Sequence, residues 1–111
     1  MKDDLVYIEH IQSSVDRILN YIEGHDFDSF FQNHIVQDAI VRQLEIIGEA
    51  TKGISFEFKD RNPQIPWKIM SGMRDKLIHD YIEVDFKMVW STATKDIPEL
   101  DRLLKELLKH L

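Results

Sequence analysis

Apolar residues in this chain return every three or four positions and nowhere hold an alternation of two. Leu5, Ile8, Ile11, Val15, Ile18 and Ile22 follow this spacing until Gly24 interrupts it. Val36, Ala39, Ile40, Leu44, Ile47 and Ala50 repeat it, and Ile97, Leu100, Leu104, Leu107 and Leu111 do so again with heptad-like steps. Such spacing gathers one stripe on an α-helix but scatters over both faces of a strand. The expectation is an all-α, up-down bundle of four or five helices that must bury these stripes against one another.

The punctuation between the stripes fits that bundle. Gly24 ends the first helix, and Phe27, Phe30 and Phe31 form a short turn or helix that plugs the bundle end. A second long helix is predicted from about His34 to Lys52, with Gly53 as its C-cap. Ile54 to Lys59 reads as one more short helix, stopped by Asp60, Arg61, Asn62 and Pro63. Pro66 suits the first turn of a helix that carries Met70, Met73 and Leu77 on one side. Val84 and Asp85 read as a loop ending in an N-cap before Phe86, Val89 and Trp90. The closing stretch is a final helix, or a continuation beyond a kink.

At 111 residues the chain suits a single domain spanning 1–111. It has no cysteine, which excludes disulfides and thiolate metal sites and agrees with a cytoplasmic setting. No apolar run approaches the roughly 20 residues that span a bilayer, so no membrane partner is expected. The opening Met1-Lys2-Asp3-Asp4 is too acidic for a signal peptide. The net charge of −6 argues against a broad nucleic-acid surface, but the acid is unevenly spread. Residues 52–87 carry seven basic and six acidic side chains, which leaves −7 on the remainder.

Within that less acidic stretch lies Arg74-Asp75-Lys76-Leu77-Ile78-His79-Asp80-Tyr81. A packing helix needs none of its polar members. Arginine offers a rigid fork of donors to phosphate, and histidine is readily poised to move protons near neutral pH. The combination points to a phosphodiester-handling site. Arg74 and His79 are five residues apart, about 140° around a regular helix, so a shared site needs a fraying helix end or two copies of the helix. The second option predicts a symmetric homodimer with paired arginines and histidines in its cleft.

The neighbouring residues each carry a plainer reading as well. Asp75 stands four positions before His79 and could hold the ring, or be an ordinary exposed helix pair. Asp38, Arg42, Glu45 and Glu49 form either a solvent-facing ion-pair ladder or the polar side of a cleft in which Arg42 adds a phosphate contact. Gly72 inside a helix suggests close approach by another backbone or a ligand, whereas Gly48 suits helix packing. His34 and Asp38 have ligand spacing, but two ligands do not make a metal site, and none is expected. His10, His25 and His110 read as surface residues, and the tryptophans and phenylalanines as core. No phosphate-cradling glycine loop and no Ser-His-Asp order is present.

Arg74-x4-His79-x-Tyr81 resembles the Arg-x4-His-x-Tyr signature of HepT-like toxins in the HEPN superfamily. The likeness spans nearly the whole chain. Asp38 to Ala50 is similar to that family's second long helix, Ile65 to Arg74 to its approach to the signature, and Val89-Trp90 with Asp96 to Leu100 to its tail. The resemblance implies a metal-independent, cofactor-free ribonuclease, dimeric, with Arg74 and His79 catalytic in the cleft between protomers. Asp75, Lys76 and Arg42 are the expected supporting and RNA-binding residues. It implies a nucleotidyltransferase antitoxin as partner, one that transfers AMP to Tyr81. Two rivals remain open: a silent binding module that docks the nucleotidyltransferase and presents its substrate, and a structural helical protein with no nucleic-acid role.

Overall fold

A computed structural model of the chain describes the backbone of residues 2–79 and 85–111, and the side chains of residues 3–73 and 85–111. The first long helix, α1 (Lys2–Ile22), leads through short α2 (Phe27–Phe31) into α3 (His34–Gly53). Short α4 (Phe56–Arg61) follows, then α5 (Trp67–His79). The last rod is continuous: α6 (Phe86–Ser91), a π-helical segment (Thr92–Asp96) and α7 (Ile97–Lys109). No strand occurs among the described residues, as the periodicity requires.

The predicted stripes make the core. Ile8, Ile11, Val15 and Ile18 of α1 are fully buried against Ile40, Leu44 and Ile47 of α3 and against Ile97, Leu100 and Leu104 of α7. Each such side chain contributes roughly 1.5–3 kcal/mol over its exposed state. Leu5 and Leu111, at the stripe ends, are instead substantially exposed. Of the three early phenylalanines only Phe30 is buried, with its ring 4.9 Å from that of Trp90 and 6.1 Å from that of Phe86. It plugs the bundle end by joining α2 to α6. Gln37 was not foreseen as core. Its buried amide donates to the carbonyls of Phe30 and Phe31 at 3.0 and 2.7 Å, pinning the α2–α3 corner.

Several boundaries shift for identifiable reasons. Gly24 does adopt the left-handed φ of 79° that stops α1. Gly53 does not: it is the last residue of α3, and the cap is Ile54. A Cβ at Gly53 would lie 2.5 Å from the Tyr7 ring, so the glycine seats α1's tyrosine rather than turning the chain. The short α4 starts at Phe56, because the Ser55 Oγ accepts from Phe58 N–H at 3.2 Å as an N-cap. Asp85 caps α6 as expected, its carboxylate accepting from Met88 N–H at 3.2 Å.

The two halves of the last rod are joined without a break, through a widened turn. Val89, Ala93 and Ile97 are all buried at two successive steps of four. On a pure α-helix eight residues overshoot two turns by about 80°. One π turn, with its i→i+5 bonding, absorbs that surplus and keeps both ends facing inward.

Candidate functional site

α5 is positioned from its first turn. Trp67 Nε1 donates to the Asn62 carbonyl at 2.9 Å, and its ring meets Phe58 edge-on at 6.1 Å. The Pro66 carbonyl accepts the first helical bond from Met70 N–H at 3.0 Å, and Met70 is fully buried. Phe56 of α4 and Ile69 line one hollow, and α5 packs against α3. Asp38 and Arg42 lie on the N-terminal half of α3, and α5 meets α3 at Leu44 through the wall formed by Ile69, Gly72 and Met73.

Positions 74, 75, 76 and 79 lie on the α5 backbone, and their side chains are outside the described ones. Tyr81 lies outside the described residues altogether. α5 stays helical through His79, so positions 74 and 79 stand about 140° apart around its axis. On α3, Asp38, Arg42 and Glu49 are exposed and Glu45 is half-buried. Asp38, Arg42 and Glu45 are not joined to one another by any ion pair among the described residues, so the stripe faces solvent without forming the expected ladder through them. Gly48 is buried within α3, in keeping with a packing role. His34 and His10 are exposed. His25 Nδ1 lies 2.9 Å from Ser29 Oγ, and His110 Nε2 lies 3.1 Å from Glu106.

Upstream of Arg74 on the same helix lies a cleft of about 410 Å³ that the sequence did not disclose. Leu44 is its floor, α5 gives one wall through Ile69, Gly72 and Met73, and the α6–π segment gives the other through Met88 and Val89. Lys68, Ser91, Thr92 and Asp96 supply its polar rim. Gly72 is exposed, and a Cβ built on it would meet nothing within 4 Å. The close approach expected at Gly72 is therefore not made by the chain itself among the described residues. The pair of four-residue steps through Val89, Ala93 and Ile97 was the available signal for the wall opposite.

The family model for HepT-like ribonucleases matches residues 11–107. A Caldanaerobacter subterraneus subsp. tengcongensis protein with a provisional RNase name is 41% identical over 109 residues, covering 98% of this chain and 97% of its own. A Thermococcus cleftensis protein named "probable ribonuclease HepT" is 42% identical over 103 residues, covering 93% of this chain and 94% of its own. A Methanocaldococcus jannaschii protein, also provisionally named as an RNase, is 39% identical over 110 residues, covering 99% and 95%. No solved structure is a match for this chain. With α5 and its Arg74–His79 stretch inside the matched span, the chain belongs to the HepT-like ribonuclease family.

Proposed function

We propose that this chain is a metal-independent endoribonuclease toxin that works as a homodimer, with Arg74 and His79 of both copies at one scissile phosphate. The observation that carries the reading is the family match together with the course of α5. A helix that stays regular through His79 sets the two positions about 140° apart, and a second copy is the direct way to bring a guanidinium and an imidazole to one phosphodiester.

The chemistry follows from the residue types. RNA carries its own nucleophile, so no metal-bound water is needed. His79 of one copy takes the 2′-OH proton, the 2′-oxygen bonds to phosphorus, and the P–O5′ bond breaks. His79 of the second copy returns a proton to the departing 5′-oxygen, leaving a 2′,3′-cyclic phosphate. Arg74 holds the charge that grows on the non-bridging oxygens. Lys76 and Arg42 would contact flanking phosphates, and Asp75 would orient the imidazole. DNA, which lacks the 2′-OH, is inert.

Silencing by a nucleotidyltransferase antitoxin follows the same logic. The Tyr81 oxygen attacks the α-phosphorus of ATP, pyrophosphate leaves, and the attached AMP places bulk and negative charge two residues beyond His79. Cleavage assays in excess chelator on the parent, Arg74→Ala and His79→Ala test the core of the proposal. Each variant should lose about 10²–10⁴-fold in rate, with the dimer retained in sedimentation. Full cleavage by both variants would remove Arg74 and His79 from the chemistry, and no cleavage by the parent itself would transfer the reading to the silent docking module that presents a substrate to the nucleotidyltransferase. Intact mass after co-expression with the antitoxin tests the AMP on Tyr81.

A further inference from the structure

We propose that the cleft between α5 and the α6–π segment is a nucleoside subsite for the substrate RNA, selective for guanine. The inference rests on the ribonuclease reading above and adds to it where, and by which base, the strand is held.

Three observations converge on that cleft. Its volume of about 410 Å³ admits one nucleoside, and its floor and walls are apolar: Leu44, Met73, Met88 and Val89. Flat bases bury well against such side chains, and thioethers make favourable contacts with aromatic faces. Gly72 stands in the wall with open space where its Cβ would be. An exposed mid-helix glycine weakens α5, and no described side chain fills the space beside it, so that space is open to a ligand. The opposite wall is built on a π turn, a feature enriched at functional sites because it re-aims side chains within a rod. Here it brings Thr92 and Asp96 to the rim.

The rim chemistry selects the occupant. Lys68 is exposed at the mouth and suits a phosphate. Asp96, exposed on the other side, offers two carboxylate oxygens as acceptors. Guanine alone among RNA bases presents two adjacent donors, N1–H and N2–H, on its Watson–Crick edge. A carboxylate can take both, whereas uracil, cytosine and adenine each set an acceptor beside the donor. Met73 lines the cleft one position before Arg74 on α5, so on the ribonuclease reading a base seated there belongs to a nucleotide near the scissile link.

Titration of the full chain with guanosine 5′-monophosphate, read on ¹³C-labelled methionine methyls, tests this without requiring catalysis. Met73 and Met88 should shift saturably while Met70, fully buried outside the cleft, stays put. Uridine monophosphate should bind about tenfold more weakly, and Asp96→Asn should erase that difference. Gly72→Leu should abolish the response yet melt no lower than the parent, because its Cβ meets no described atom within 4 Å and leucine favours the helix over glycine. No saturable shift, equal affinity for the two nucleotides, the same shifts from inorganic phosphate, or an unaltered response in Gly72→Leu would each overturn the proposal. RNA cleavage keeps the two readings separate. If Gly72→Leu cuts at the same rate and sites as an active parent, the subsite is wrong and the nuclease stands. If guanosine monophosphate binds while Arg74→Ala and His79→Ala cut like the parent, the assignment of those two residues is wrong and the cleft stands. If it binds and the parent does not cut RNA, the nuclease reading is wrong and the cleft stands.

Discussion

Gly53 and Gly72 are both helical and have opposite surroundings. At Gly53 a methyl would collide with the Tyr7 ring, which would have to swing off the surface it covers. At Gly72 the same methyl meets nothing within 4 Å among the described residues. Gly53→Ala should therefore destabilise the fold by about 1–2 kcal/mol, the cost of overpacking less the gain in helix propensity. Gly72→Ala should stabilise it by up to about 1 kcal/mol, roughly a 4 °C rise in melting temperature. Thermal melts of the two variants decide the matter, and Tyr7→Ala should remove the penalty at Gly53. The sequence shows a glycine at each place but not its neighbour. That is why Gly53 reads as a cap until α1 is seen lying across it.

Among the elements, α1 is tied to the α3–α4 corner by a single carboxylate. Asp4 is almost wholly buried and accepts from Ser55 N–H and from Ser55 Oγ, both at 2.7 Å. Burial pushes its carboxyl up, but the hydrogen bonds from Ser55 outweigh that and hold it below the ordinary range. The folded value lies below the unfolded one, so the resulting stability is present above about pH 4 and is lost as pH falls through the folded value. Asp4→Asn should cost about 1–3 kcal/mol in urea melts near neutral pH, and the gap to the parent should shrink below about pH 4. A gap that stays constant down to pH 3 would show that the carboxylate charge plays no part. None of this was legible in the chain, because residues 4 and 55 meet only after two helices have folded back.

For the whole molecule, the number and order of the rods could be read from apolar spacing, since burying one stripe per helix leaves few arrangements. The Arg74, His79 and Tyr81 signature stands out in the sequence for a different reason: its members are close together and chemically unlike a packing face. The cleft was hidden because its walls come from α3, α5 and the α6–π segment, which share no local pattern. An acidic protein holding RNA must do so through few phosphates. Single-strand affinity should fall only gently with salt, and Lys76→Ala should reduce the slope by about 0.7 for each contact it makes. A slope unchanged by that substitution removes Lys76 from the interface.

The widened turn at Thr92–Asp96 also bears on how this lineage can vary. A π turn holds one residue more than an α turn, and here it does so with α6 and α7 seated on separate neighbours. The joint can therefore lose or regain one residue with little harm to either end. Natural length differences within the final rod should concentrate there, where each would reshape one bank of the cleft and leave the frame intact.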